Sequence, residues 1–447
     1  MALMITTLKL MTNKKDLSQT TEESYLPANI TNDIDKMEDT TLCVKCGSCL
    51  SVCPVYKEQL CETFSPRGRY EIIQSWLLNP GNKKEPKITK RMKDSLHACL
   101  QCGACTDICP SGVQVDLMVR RARQMIGGGA GENTLFKMMS FRKAPDVLAK
   151  IGAKIPEVTG IALKIATLLG SREVYSEEVR SWARAFPPLA TRPAIGDGLY
   201  SNKNGLPTVA LFTGCVQNYL YPEVVWAIRR ILEPHCRLII PEGQQCCGLA
   251  AWSAGFVNEA RRLAIVNMEV FNKIKPDFIV TGCASCAYFL SEFWHQTLPS
   301  GEMANSALML SGKVREFTSL LKTLDINQFT SNVKAKVSYH VPCHQRFHLG
   351  GEDIPLSLLN NTPGLEIASV EKDCCGQGGL FGFKHPKLSM QIFSHRLQSV
   401  KSAGAEAVIT NCSGCLLQWR VGMTSLSPFK SIPVFHPAEI LISNQTP

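Results

Sequence analysis

The chain has 447 residues, a formal net charge of +10 and 20 cysteines, and 45% of its residues are hydrophobic. This length predicts about three domains, and no run of 18 apolar residues is present that would cross a membrane. The basic residues do not form dense runs interleaved with aromatic residues, which argues against nucleic-acid binding. The cysteines fall in repeated sets, which indicates metal binding rather than disulfides. Because thiolate metal centres are built under reducing conditions, we expect a cytoplasmic protein, either free or peripheral on the inner face of the membrane.

Residues 1–38 are polar and predict a flexible arm. The following part, residues 39–125, which we call the two-motif region, carries two copies of the pattern C-x2-C-x2-C-x3-C-P. This pattern is typical of 4Fe–4S cubane ligands, and in two-cluster proteins the fourth cysteine ligates the other cluster. A four-thiolate zinc site would instead need two C-x2-C pairs. We assign the first cubane to Cys43, Cys46, Cys49 and Cys109, and the second to Cys99, Cys102, Cys105 and Cys53.

The segment between the two motifs is long, with 46 positions from Cys53 to Cys99. Apolar residues recur at helical spacing, so we predict an α-helical domain rather than a compact β-rich ferredoxin. Arg67 and Arg69 in this segment either lie against a cluster or a partner, or begin a solvated helix. The predicted helices span residues 69–78, 91–100 and 115–126.

Residues 126–207 are predicted to form a helical connector. The glycine run at residues 127–131 lacks the Lys-Ser/Thr of a phosphate-binding loop, so we do not expect nucleotide binding there. Residues 148–169 are mildly amphipathic and predict packed helices rather than a membrane surface segment.

Residues 208–325 (repeat 1) and 326–447 (repeat 2) carry the same cysteine pattern. The step from Cys215 to Cys246 is 31 positions, as is the step from Cys343 to Cys374. An adjacent Cys-Cys-Gly and a closing C-x2-C follow in both repeats, which indicates an internal duplication. The repeat-1 set is Cys215, Cys246, Cys247, Cys283 and Cys286, and the repeat-2 set is Cys343, Cys374, Cys375, Cys412 and Cys415.

Short apolar runs, typical of strands, end within a few residues of these cysteines and alternate with helical stretches. This alternation predicts two α/β domains with parallel sheets. Ligands in such folds gather at the carboxyl ends of the strands, so we expect each set to converge on one point. The whole chain is therefore predicted to have a mixed fold, with an α-helical dicluster domain followed by two pseudo-symmetric α/β domains.

The doubled C…CCG…CxxC pattern resembles the cysteine-rich CCG domains of heterodisulfide reductase and of glycolate oxidase and D-lactate dehydrogenase iron–sulfur subunits. The combination with two cubane motifs in one chain is similar to the glycolate oxidase iron–sulfur subunit over roughly residues 40–442. Other parts of the resemblance are Pro66-Arg67-Gly68-Arg69, His340-Val-Pro-Cys343-His344 and the segment from Val434 to Glu439. The resemblance implies an unusual non-cubane 4Fe–4S cluster in each CCG repeat. Many glycolate oxidase subunits have lost part of one terminal Cys pair, whereas both repeats are complete here.

Some cysteines and histidines stay open to two interpretations. The CCG cysteines could instead be buried without metal, or could bind zinc. Cys61 and Cys236 fall outside all four sets and are expected to be packing residues. His344 and His348 either donate hydrogen bonds to cluster sulfurs or are ordinary core residues, and His340 is predicted to be a plain strand residue.

The leading hypothesis is an electron-transfer subunit of a flavin-dependent 2-hydroxy-acid oxidoreductase that acts on glycolate or D-lactate. No G-x-G-x-x-G fingerprint is present, so FAD is expected only in a partner subunit. No catalytic residue is assigned, the chain alone is expected to be inactive, and electrons would pass toward quinone or another acceptor. The alternative is a heterodisulfide reductase-like enzyme with disulfide chemistry at non-cubane clusters. A cluster-storing scaffold is the third hypothesis.

Overall fold

The computed structural model describes residues 43–77, 88–127, 185, 187, 189–190, 193–195, 205–331, 334–426 and 432–443. The predicted arm and nearly all of the predicted connector, including residues 128–131 and 148–169, lie outside these described residues. Within the described ranges, no helix is long and apolar enough to cross a bilayer.

The two-motif region is helical, as the sequence predicts. Its main helix begins at Pro66, three residues before the predicted start, because proline is favoured in the first turn, where its missing N–H costs nothing. Gly68 is required in that turn, since a Cβ there would lie 1.9 Å from the Glu62 carbonyl oxygen. The helices are α1 (Ser48–Val52), α2 (Pro54–Gln59), α3 (Pro66–Leu77), α4 (Lys90–His97), α5 (Ala104–Asp107) and α6 (Val115–Ile126), with a 3-10 turn at Glu62–Phe64.

Gly47 and Gly103 start α1 and α5 in the left-handed conformation, both with φ of 83°. A Cβ on Gly47 would meet no atom closer than 3.6 Å, so the backbone conformation rather than crowding explains glycine at this position. These two turns carry the chain around the second and third cysteines of each motif.

Each CCG repeat contains a four-stranded parallel sheet in the described residues, and the two sheets have the same topology. Repeat 1 has the order β2-β1-β3-β4 and repeat 2 has the order β7-β6-β8-β9. In both, the first strand of the repeat lies between its second and third strands, with all pairs parallel. The strands are β1 (Thr208–Leu211), β2 (Arg237–Ile239), β3 (Phe278–Thr281), β4 (Val314–Glu316), β6 (Ala335–His340), β7 (Leu365–Glu371), β8 (Ala407–Ile409) and β9 (Val434–Phe435).

Helices cover the sheets and follow the strands in alternation. The helices of repeat 1 are α7 (Gly214–Tyr219), α8 (Pro222–Leu232), α9 (Leu249–Ala254), α10 (Val257–Ile274), α11 (Ala284–Glu292), α12 (Glu302–Ser311) and α13 (Phe317–Thr323). Those of repeat 2 are α14 (Cys343–His348), α15 (Asp353–Asn360), α16 (Phe381–Lys384), α17 (Pro386–Ser402), α18 (Ser413–Leu426) and α19 (Pro437–Ile440).

The two repeats are also connected by a strand pair and by a common apolar core. An antiparallel pair joins β5 (Phe329–Ser331), from the junction of the repeats, to β10 (Leu441–Ser443) near the end of repeat 2. One apolar core runs through both repeats and includes Phe289 and Trp419.

The two-motif region packs against both repeats. On the repeat-2 side, Val55 and Leu100 share a buried cluster with Phe381 and Ile392. On the repeat-1 side, the Arg123 guanidinium at the end of α6 donates to the Ser253 carbonyl of α9 at 2.9 Å. The cysteines of all four sets are thereby held in one packed arrangement.

Candidate functional site

The four cysteines assigned to the first cubane line one small cavity. Cys43, Cys46, Cys49 and Cys109 lie around it together with Arg67. The Arg67 guanidinium donates to the Lys45 carbonyl at 3.2 Å and to Glu62 at 2.7 Å. The fourth cysteine of the second motif thus lies beside the first three cysteines of the first motif.

The four cysteines assigned to the second cubane line a separate cavity, namely Cys53, Cys99, Cys102 and Cys105. Arg69 lies against this set and is 1% exposed. Its guanidinium is 4.0 Å from the Cys53 sulfur and donates to the carbonyls of Ser95 and Ala98. Arg69 is therefore not part of a solvated helix start, and a buried cation there can balance a negative centre.

All ten cysteines of the two repeats line a single cavity of about 170 Å³. Thiols from distant parts of each repeat lie close together. The distance is 3.5 Å between the sulfurs of Cys215 and Cys246 and 3.3 Å between those of Cys375 and Cys415. These distances exceed the roughly 2.05 Å of a disulfide bond, and all twenty cysteines of the chain are free. The two sets, which the sequence predicts as two separate points, therefore face one shared space.

The closing C-x2-C motifs of the two repeats meet across this cavity. The thiols of Cys283 and Cys412 share a hydrogen bond, and the Ala284 N–H donates to the Asn411 carbonyl at 2.9 Å. Ser285 of repeat 1 lies 3.1 Å from the Cys412 sulfur, and Ser413 of repeat 2 hydrogen-bonds Cys283. Each repeat thus supplies a hydroxyl to a cysteine of the other.

His344 and His348 extend this contact between the repeats. His344 Nδ1 is 2.8 Å from the Ser285 hydroxyl, which in turn touches Cys412. The Tyr288 ring stacks on both imidazoles, with ring centroids 4.6 and 4.1 Å away. Burial lowers the pKa of His344 to about 4, so its ring is neutral. His344 therefore acts on the repeat-2 set through a serine of repeat 1.

Burial and neighbouring thiols shift the pKa values of these cysteines in different directions. Burial raises the pKa of Cys102 and Cys105 well above the ordinary range. In each repeat, hydrogen bonds from two neighbouring thiols instead lower the pKa of the first cysteine of the adjacent pair, Cys246 or Cys374. So many thiols cannot all lose their protons in a buried site unless a metal supplies positive charge. The donor set fits iron–sulfur clusters.

The second cubane set adjoins the repeat-2 set. The negative charge of the Cys374 thiolate raises the pKa of Cys102, and that of the Cys102 thiolate raises the pKa of Cys343. A groove of about 430 Å³ opens at this junction, and Cys102, Cys343 and Cys374 all line it. Electron-transfer centres placed in these sets would be neighbours.

One of the two cysteines outside the four sets behaves as predicted, and two serines near the site were missed. Cys236 is a packing residue, fully buried with its thiol donating to the Leu232 carbonyl at 3.2 Å. Cys61 is half-buried and lines none of the three cysteine cavities. The roles of Ser285 and Ser413 depend on contacts between the repeats, so the only sequence signal was their place inside the C-x2-C motifs.

Two family models match the chain, one in the two-motif region and one in each of the two repeats. The 4Fe-4S dicluster domain matches residues 39–113, and the cysteine-rich domain matches twice, at residues 209–291 and 337–420. These matches and the observed architecture confirm the predicted mixed fold and the presence of iron–sulfur domains.

The chain is also similar in sequence to individual proteins from bacteria. It is 27% identical to the "Probable glycolate oxidase iron-sulfur subunit" of Bacillus subtilis, over 97% of this chain and 98% of that protein. It is 33% identical to "Lactate utilization protein A" of Geobacillus kaustophilus, over 52% of this chain and 98% of that protein. A hypothetical protein of Helicobacter pylori, whose crystal structure is known, aligns over 92% of this chain and 74% of that chain at 10% identity and a TM-score of 0.45, which supports no further conclusion. The chain belongs to the family of iron–sulfur proteins that contains the glycolate oxidase iron–sulfur subunit and lactate utilization protein A.

Proposed function

We propose that this chain is the electron-transfer subunit of a flavin-dependent 2-hydroxy-acid oxidoreductase that oxidises glycolate or D-lactate. The observation that carries the proposal is the closeness of the second cubane set to the repeat-2 set, because Cys102, Cys343 and Cys374 line one groove. Two cubanes and two non-cubane 4Fe–4S clusters would occupy the four sets, and their irons exchange single electrons. The proposal includes the domain limits and the cluster ligands that we assigned from the sequence.

An FAD-containing partner subunit completes the proposed complex. The sequence lacks the fingerprint of a dinucleotide-binding fold, and a relative that aligns over nearly its whole length is named as a subunit of glycolate oxidase. The partner would remove the hydride from the substrate, and this chain would pass the electrons toward quinone or another acceptor. The complex would lie in the cytoplasm or on the inner face of the membrane.

Purification of the native complex tests this function. We expect a flavoprotein to copurify, and the complex to reduce a dye with glycolate or D-lactate, whereas the chain alone does not. Replacement of Cys102 by serine in the complex should leave reduction of the flavin by substrate intact and slow electron delivery to a quinone analogue. Turnover of either acid by the isolated chain, or a native complex without flavin, contradicts the proposal.

Disulfide reduction is a second candidate function, and the shared cavity with two complete cysteine sets favours it. The chain would then reduce a low-molecular-weight disulfide with electrons from reduced viologen, without any flavoprotein. Oxidation of reduced viologen that depends on the disulfide and is lost in Cys374→Ser would favour this candidate over the first.

A further inference from the structure

His340 is a buried histidine that the function proposed above does not use. It ends β6, is 0% exposed, and in the described part of the chain neither of its ring nitrogens has a hydrogen-bond partner. A polar group buried in this way normally has a partner, because leaving it unpaired is unfavourable. The imidazole therefore has an N–H for which a nearby acceptor is expected.

The imidazole faces the repeat-2 cysteines. One ring nitrogen of His340 and the sulfurs of Cys375 and Cys415 all lie within 4.8 Å of one another. The Trp419 ring packs against the imidazole in an edge-type arrangement, with 5.6 Å between the ring centroids. The imidazole therefore lies close to a tryptophan and to two proposed cluster ligands.

Repeat 1 lacks a counterpart to this histidine. Three residues before the first cysteine of its set, repeat 1 has Phe212 where repeat 2 has His340. Phe212 directly follows β1 and is likewise fully buried. β1 and β6 hold the same place in their sheets, but at this position repeat 1 has an apolar ring and repeat 2 a polar one. The surroundings of the two cysteine sets are therefore not equivalent.

Hydrogen bonding fits the position of His340 better than direct ligation of iron. Cys375 and Cys415 line the shared cavity, whereas His340 is not among the described residues that line it. The ring thus does not line the cavity that the sulfurs face, and the repeat-2 set already has five thiols for a cluster. An imidazole has at least one N–H to donate, whichever nitrogen carries it.

We propose that His340 is a positioning residue that donates its imidazole N–H to the thiolate sulfur of Cys375 or Cys415 and raises the reduction potential of the repeat-2 centre. The proposal rests on the proposed function, because it requires a cluster in repeat 2. A hydrogen bond to a ligand sulfur stabilises the more negative, reduced state of a cluster. The repeat-1 centre has no such donor at Phe212.

The experiment compares two variants of the full chain, purified anaerobically with its clusters. His340→Phe removes the donor and keeps a ring of the kind that repeat 1 carries, whereas His340→Gln keeps an N–H donor. EPR signals are first assigned to repeats with Cys246→Ser and Cys374→Ser, and potentials are then measured by EPR-monitored titration. We expect His340→Phe to retain its iron and to shift only the repeat-2 potential, toward more negative values, with a smaller shift in His340→Gln.

Three results would overturn the proposal. The first is an unchanged repeat-2 potential in His340→Phe at full iron content. The second is a strong ¹⁴N hyperfine coupling in the wild type that His340→Phe removes. The third is the absence of any cluster in repeat 2. The second result would make His340 a ligand. All measurements use the isolated chain, so failure to find a flavoprotein partner would contradict the proposed function and leave this test unaffected.

Discussion

At the level of single residues, the exchange of fourth cysteines can be tested directly. Cys53 lines the cavity of the second motif and Cys109 that of the first. We expect Cys53→Ser to disturb the EPR signal of the cluster on Cys99, Cys102 and Cys105, and Cys109→Ser to disturb the other cluster. The assignment is wrong if each substitution disturbs the cluster of its own motif.

The two arginines of the Pro-Arg-Gly-Arg segment give a second prediction. Arg69 is buried, and its guanidinium is bonded to two carbonyls and lies near Cys53, whereas the Arg67 side chain is 29% exposed and pairs with Glu62. Arg69→Met leaves buried acceptors unpaired and should cost at least about 2 kcal/mol. Arg67→Met is the comparison variant: it also removes a cation from a cubane cavity, but a more exposed one, so it should cost less than about 1 kcal/mol.

Loss of the visible cluster absorbance during anaerobic heating measures both arginine variants. We expect the absorbance of Arg69→Met to be lost at a clearly lower temperature than that of the wild type, and that of Arg67→Met near the wild-type temperature. Equal behaviour of the two variants would show that burial of Arg69 contributes nothing specific.

At the level of elements, the sequence predicts the long periodic pieces well. The helix at 222–232 is one of the helical stretches predicted after a strand, because Pro222 and the apolar spacing mark it. The predicted helix at 91–100 ends instead at His97, since the Ala98 N–H closes the last turn and the backbone must then turn at the cysteines. The three-residue strands β2 and β4 were not predicted, because each includes at least one charged residue and is not a continuous apolar run, unlike the equally short β8. The pairing of β5 with β10 joins distant segments, which no local pattern indicates.

The contact between α6 and α9 depends on a glycine. A Cβ on Gly255 would lie 2.3 Å from the Arg123 carbonyl oxygen, so Gly255→Ala must push apart the two-motif region and repeat 1. Gly404 is the matched control, because its φ is also positive and its Cβ would meet nothing within 4 Å. Alanine in this conformation costs about 1–2 kcal/mol by itself.

Chemical denaturation of both glycine variants isolates the clash. Gly255→Ala should lose at least about 2 kcal/mol more than Gly404→Ala, because backbone atoms cannot move aside as a flexible side chain can. A difference near zero would mean that the α6–α9 contact adjusts without cost.

At the level of the whole molecule, the candidate site is a product of assembly. Motif spacing alone was enough to group the cysteines into four sets, and local alternation placed them at strand ends. The spacing contains no information on how the repeats face each other, so the shared cavity and the Ser285–Cys412 contact could not be foreseen. The spacing also does not show which strand side chains point toward the cysteines, so His340 was predicted to be a plain strand residue, although its ring lies near two cysteines of its own repeat.

Cluster content is the prediction that tests the whole arrangement. Each repeat offers five thiols, one more than a cubane needs, and neighbouring side chains such as those of Cys374 and Cys375 diverge, which favours a distorted cluster with a bridging thiolate. With two cubanes, this gives about 16 irons per chain. Cys247→Ala and Cys375→Ala should each remove about four irons and destabilise their own repeat, because bound metal contributes folding energy. Iron and sulfide analysis of anaerobically purified protein decides the question: about eight irons would mean that only the two-motif region is loaded, and about twelve that one repeat is empty.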